Sequence, residues 1–356
     1  MQSPTADLRS QKNDANVQSI QIMRGIASIL VVLLHTSIKW KQFGNNAFKE
    51  IHVGGSGVDL FFIISGYIMC FSTDGRQLNF IRFMGLRIRR IMPFYWLTTT
   101  IGLAIFLYNP SLVNSSGGET SIWASYVLFP TGAKYLNANG WTLSFEFFFY
   151  LIFAVFIYRG TDKAMRYSSI ILLILVALSP FFIMDGFALN FLTNNMYFEF
   201  VLGMGCFYLF NRKGLRFASG YGIALCLTAV LLLVAEGLAY VPEIQAWRGF
   251  CWGIPMLFLF AGLLSMEGPI RRASSSVKTI FLGIGDSSYS LYLIHPFALS
   301  GLARLLKHFN AVSNPTFFVV ALLIPTIVLG HLAFLYIRKT TDRLRQERDD
   351  PQNAGR

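Results

Sequence analysis

The run RGIASILVVLLH places Arg24 and His35 eleven positions apart in an otherwise apolar stretch. That is close to three helical turns, so the two share a face, separated by roughly 16 Å along the axis. A cation at the mouth and a base further in suit an anionic donor that enters beside Arg24 and reacts near His35. The plainer alternative makes Arg24 an ordinary surface anchor and His35 a hydrogen-bonded packing residue, and this stretch alone does not choose between them.

Four other runs carry ionisable groups. Each such group inside a membrane costs about 2.5–3.5 kcal/mol on insertion scales and so needs a reason. In GGSGVDLFFIISGY, Asp59, Phe62 and Gly66 follow one face with Ser65 beside them. The aspartate either orients a histidine or caps the helix N-terminus, the cap being the simpler role. In FIRFMGLRIRRIMPFYW, Arg87 and Arg90 stand i, i+3 and would grip a phosphate together. Alternatively, the basic set forms a collar for anionic lipid headgroups, worth about 1 kcal/mol per residue. In WTLSFEFFFYLIFA, Glu146 has Thr142 and Tyr150 one turn to either side. It either holds an arginine or histidine, acts as an acid or base, or forms a structural interhelical pair. In SSYSLYLIHPF, Ser288 and His295 are seven apart on one face, and Tyr292 precedes the histidine by one turn. Pro296 is expected to disturb the helix there, leaving a backbone carbonyl free or opening a cavity. Glu199, Glu236 and His308 fall near outer span ends with water within reach, and His331 has no companion motif, so these four are background.

Positioning these groups requires membrane helices. Of the 356 residues 54% are hydrophobic and 13% charged, with 34 Phe, above the roughly 45–50% apolar share of soluble domains. Apolar stretches long enough to cross a bilayer as helices are read at 20–38, 57–73, 91–108, 142–158, 167–184, 196–210, 219–236, 249–266, 281–303 and 316–337. The sixth is short and the ninth begins polar. The fold class is therefore all-α, a polytopic integral membrane protein of about ten transmembrane helices. A cytoplasmic tail is read over 1–19, a single membrane domain over 20–337 and a cytoplasmic tail over 338–356.

With alternating crossings, 23 of the 30 Lys and Arg residues fall on one side, counting Arg24 with the N-terminal tail. The positive-inside rule then puts both termini in the cytoplasm. The net charge of +12 sits in short loops rather than on one exposed face, which excludes nucleic acid as a partner. Cys70, Cys206, Cys226 and Cys251 lie in apolar runs without close pairing, suggesting neither disulfide nor metal site. No removable signal peptide is visible. The outer segment SIWASYVLFP either lies along the interface or re-enters the protein.

Taken in order, the five motifs resemble the membrane acyltransferase family often called acyltransferase family three, in particular its exopolysaccharide-acylating or O-antigen-like branch. The likeness runs from about Ile20 to Tyr336. The family commonly has phenylalanine at the position of Tyr67 and serine at that of Thr142, both mild departures. The resemblance implies O-acyl transfer from acyl-coenzyme A, with acetyl expected, to a sugar hydroxyl of an exported polysaccharide or its lipid-linked precursor. It implies a bacterial inner-membrane location, no tightly bound cofactor, and polysaccharide-assembly proteins as further partners. By motif, His35 becomes the catalytic base, or the group that carries the acyl unit itself, with Glu146 as a second catalytic residue. Arg24, Arg87 and Arg90 fall to the coenzyme phosphates. Asp59, Ser65, Tyr150, Ser288 and His295 support the pore and the acceptor side. No additional hydrolase-like domain is expected after the tenth span. The competing class is a transporter or flippase of a lipid-linked sugar or small anion, using the same groups as a proton relay. No inverted repeat favours it.

Overall fold

The protein is described by a computed structural model covering residues 17–44, 51–114, 117–182, 186–215, 217–238, 247–312 and 314–349. Among the described residues there is no strand, only an isolated bridge between Thr120 and Lys134. A long helix stands at each of the ten apolar stretches: α1 (Gln18–Phe43), α2 (Ser56–Thr73), α3 (Phe80–Tyr108), α4 (Gly140–Phe156), α5 (Thr161–Phe182), α6 (Tyr197–Phe207), α7 (Ser219–Leu238), α8 (Gly253–Ser265), α9 (Ser276–His308) and α10 (Pro315–Asp349). Eight of these positions are long and apolar enough to cross a membrane. The other two depart for visible reasons. α6 has 11 residues and continues as a single π turn over Tyr208–Arg212. α9 has 33 residues but carries the polar run Asp286–Ser290 in its middle. The fold is all-α and multi-pass.

One boundary differs from expectation. The basic set was expected just before a helix starting near residue 91, whereas α3 begins at Phe80 and carries Arg82, Arg87, Arg89 and Arg90 on its first turns. Asn79 caps it, its side chain accepting from the Arg82 amide at 2.8 Å. Arg82, Arg89 and Arg90 stay exposed on long stems, whereas Arg87 is turned inward and buried.

Outward faces are apolar, as lipid requires. Leu227, Leu231 and Val234 of α7 and Ile324, Val328 and Leu332 of α10 are exposed. Inside, phenylalanines dominate: Phe83, Phe149, Phe153, Phe200 and Phe260 are fully buried. Where helices touch most closely, small residues permit it. A methyl group on Gly285 of α9 would overlap the Gln21 carbonyl of α1, and one on Gly203 of α6 would overlap the Ile63 carbonyl of α2. The junction of α1, α9 and α10 is sealed by Val32, Trp40, Leu291, Leu299 and Phe318.

Cross-links at the helix ends agree with alternating crossings. Arg212, ending the π turn after α6, pairs with Asp74 after α2 and with Asp162 at the start of α5, the latter at 2.8 Å. Glu267, between α8 and α9, accepts from the first amides of α1, Gln18 at 3.1 Å and Ser19 at 2.7 Å. On the opposite face Arg248, just before α8, donates to the Gly55 carbonyl at 2.9 Å. The segment after α3 folds back as a short helix, Ile122–Val127. It is held on α3 by Tyr95 Oη donating to the Ser125 carbonyl at 2.7 Å and Trp96 Nε1 donating to the Tyr126 carbonyl at 2.9 Å. The four cysteines are unpaired, with Cys70 and Cys206 packed in the interior.

Candidate active site

A cavity of about 460 Å³ opens between α1, α2, α3, α4 and α9, within the usual range for small-molecule sites. It gathers seven of the residues singled out in sequence: Arg24 from α1, Ser65 from α2, Arg87 and Arg90 from α3, Glu146 and Tyr150 from α4, and Ser288 from α9. The i, i+3 spacing of Arg87 and Arg90 thus does aim both at one space. Phe61, Phe62, Ile68 and Met69 supply apolar wall.

The polar groups are held in place by neighbours. Arg87 is 7% exposed and donates from Nη2 to Ser72 Oγ at 3.3 Å. Its guanidinium lies 5.4 Å from the centre of the Phe83 ring. Arg24 reaches Gln21 Oε1 at 3.3 Å. Of the three roles open for Glu146, its observed contacts are hydroxyls rather than an arginine or histidine: its Oε1 accepts from Ser65 Oγ at 2.8 Å and from Tyr150 Oη. Two hydroxyl donors on one oxygen fix the carboxylate in the cavity wall. Ser288 Oγ is buried with no partner among the described residues.

His35 and His295 are not part of the cavity wall itself. They form their own pair across the α1–α9 seam, ring centroids 4.9 Å apart and planes at 47°. Tyr292 connects the two regions. Its ring lines the cavity, lies 5.8 Å from that of His295, and its hydroxyl is bonded to Thr142 Oγ1. His295 is fully buried, whereas His35 is partly open.

Pro296 has the effect its chemistry requires. Without an amide hydrogen it leaves the Tyr292 carbonyl, four residues back, without a helical donor. Asn139 fills the vacancy through Nδ2. Asn137 Nδ2 likewise donates to the Leu293 carbonyl at 3.2 Å and to Thr98 Oγ1 at 3.0 Å. These two asparagines escaped sequence reasoning. The only hint is their position, in the segment NANG just ahead of the Glu146 motif.

Asp59 departs from both roles considered for it. Its helix starts without a side-chain cap, and its carboxylate instead receives Arg248, Nε at 3.2 Å and Nη2 at 2.8 Å. Arg248 also lies over the Trp252 and Trp141 rings, at 4.7 and 5.9 Å. Arg248 reads as a loop cation in sequence, so its burial was missed. Glu199, expected within reach of water, is 0% exposed and sits beside Asp59. Among the described residues no group of three His, Cys, Asp or Glu is placed to hold a metal ion.

A family model described as an acyltransferase domain matches residues 17–334. The chain is 32% identical over 265 residues to the exopolysaccharide production protein ExoZ of Rhizobium meliloti, covering 71% of this chain and 78% of that protein. It is 25% identical over 313 residues to the acyltransferase MdmB of Streptomyces mycarofaciens, covering 78% and 77% respectively. No solved structure matches the chain at a comparable level.

Proposed function

The chain belongs to the acyltransferase family matched over residues 17–334, and from that premise we propose that it moves an acyl group from acyl-coenzyme A to a sugar hydroxyl of an exported polysaccharide or its lipid-linked precursor. That it is a multi-pass membrane acyltransferase follows from the family and the helices; donor, acyl group and acceptor are our reading. The observation that carries the donor is the convergence of Arg24, Arg87 and Arg90, from two helices, on one cavity with apolar walls. Three guanidiniums suit the phosphates of a nucleotide thioester, which they bind as planar forks. The apolar stretch beyond suits its thin pantetheine arm. Likeness to a protein of exopolysaccharide production supports the glycan acceptor, and acetyl is the simplest acyl unit consistent with it.

In this reading the arginine-lined mouth faces the cytoplasm of a bacterial inner membrane, with both chain termini on that side. The roughly 16 Å rise from Arg24 to His35 along α1 matches a long donor. His35 takes the proton of the acceptor hydroxyl as its oxygen attacks the thioester carbonyl. The new C–O bond forms, the C–S bond breaks, and the departing thiolate takes the proton from the His35 imidazolium. Glu146, fixed by Ser65 and Tyr150, acts at the cavity wall beside the thioester path. Polysaccharide-assembly proteins are the natural neighbours on the acceptor side.

The test uses purified protein in nanodiscs with labelled acetyl-, succinyl- and longer acyl-coenzyme A and a panel of glycans. Label transfer that disappears in His35→Ala, a loss of about 10² or more in kcat for a general base, is the expected result. Full activity in that variant ends the assignment of His35. No transfer to any acceptor, together with sugar flux in vesicles, replaces the enzyme reading by the transporter.

A further inference from the structure

The His35–His295 pair contains an unexplained atom. His295 Nδ1 lies 3.3 Å from the Leu291 carbonyl. A carbonyl has no hydrogen to give, so Nδ1 carries the proton, and in the neutral ring Nε2 is left with a bare lone pair. That Nε2 is fully buried and has no partner among the described residues. A buried acceptor without a donor is costly, and such atoms in native structures call for a specific cause, catalytic roles among them.

The position of the ring is over-determined. Tyr292 packs at 5.8 Å on one side and His35 at 4.9 Å on another. Asn139 and Asn137, bonded to the carbonyls of Tyr292 and Leu293, hold the backbone of the turn before Pro296. His35, in contrast, is partly open. At 4.9 Å between centroids the two rings are neighbours, close enough for His35 to present a ring N–H to His295 Nε2 once substrate is bound. Hydrogen bonds between catalytic groups are often misaligned in unliganded proteins and tighten when substrate is bound.

We infer that His295 is a positioning residue for His35, accepting a ring N–H of His35 on Nε2 and thereby turning the other His35 nitrogen, as a lone pair, toward the acceptor hydroxyl. The inference rests on His35 being the base. It assigns to a neutral imidazole the orienting task that a carboxylate performs in serine hydrolase triads. No net proton is exchanged between the two rings: the hydrogen on the shared nitrogen of His35 stays there while the opposite nitrogen gains and then returns the acceptor proton. The chain Leu291 carbonyl, His295, His35 and acceptor hydroxyl then has one donor and one acceptor at every link.

The test is steady-state kinetics of the full-length protein in nanodiscs, with variants first checked for monodispersity and thermal stability. His295→Phe keeps the ring's bulk and removes the acceptor. It is expected to lower kcat by about 10² with donor KM changed less than twofold, and to cause no further loss in a His35→Ala background. His295→Gln, whose Oε1 can accept, is expected to regain at least tenfold of that loss. An unchanged kcat in His295→Phe, or a loss confined to KM, overturns the inference while leaving the His35 assignment intact. Activity retained in His35→Ala overturns the underlying reading instead. Should His295→Phe not fold, His295→Gln decides alone: kcat within tenfold of wild type supports the pairing, and a kcat as low as that of His295→Ala overturns it.

Discussion

Asp59 and Arg248, 189 positions apart in sequence, meet in a two-point ion pair with the carboxylate fully buried. The pair ties the start of α2 to the turn before α8, with Trp252 and Trp141 against the guanidinium. Removing one member of a buried pair strands the other, at a cost of about 3–5 kcal/mol. Arg248→Met is therefore expected to lower thermal stability sharply, and the double variant with Asp59→Asn to recover part of it. An Arg248→Met protein that melts with wild type would remove the pair from the list of structural ties.

Arg90 lines the cavity beside Arg87, and its proposed task is binding phosphate rather than reacting. Arg90→Ala should raise KM for acyl-coenzyme A by about tenfold, equal to roughly 1.4 kcal/mol, with kcat preserved. An acyl-pantetheine donor, which lacks the nucleotide phosphates, should not feel the substitution. Equal loss with both donors contradicts a phosphate role.

The Asn139 to Tyr292 bond exists because of Pro296. Asn139→Ala leaves a buried carbonyl unsatisfied, at about 1–3 kcal/mol. Adding Pro296→Ala supplies the missing amide hydrogen, so the double variant should be more stable than Asn139→Ala alone. Thermal unfolding in detergent reads this directly, and simple additivity of the two losses refutes it.

Glu267 offers a pH test outside the membrane spans. Its partial burial opposes ionisation. The amides of Ser19 and Gln18 and Arg271 at 2.5 Å outweigh that and hold its carboxyl below the ordinary range. A depressed carboxylate contributes stability that is full above its unfolded pKa, about 4.3, and is lost as pH falls through its folded value. Wild type should therefore melt above Glu267→Gln at pH 7, and the gap should close on acidification below about pH 4. A gap that is constant with pH argues against the carboxylate as its source.

Apolar runs interrupted by single ionisable residues made the spans readable, and periodicity made Arg87 with Arg90 and Glu146 with Tyr150 readable as neighbours of one space. Those signals are local, because one helix carries each motif. Arg248 and Glu199 were opaque for the opposite reason: a cation in a loop and an acid near a helix start look solvated until distant helices close over them. The same holds for Asn139, whose partner lies 153 positions away. The Pro296 motif announced a free carbonyl but not which side chain would fill it.

The stitched turn in α9 has a consequence for biogenesis. Helices α1 to α4 leave the ribosome well before α9, and until α9 arrives the amide of Asn139 has no carbonyl to receive it. In turn, the Pro296 turn enters the bilayer with an unmet carbonyl that only the already inserted α3–α4 connection can satisfy. The ninth helix is thus a late keystone whose own defect selects its seat. Chains halted before it are expected to hold the arginine-lined half of the cavity yet lack both the second imidazole and the lock that orders the first turn of α4.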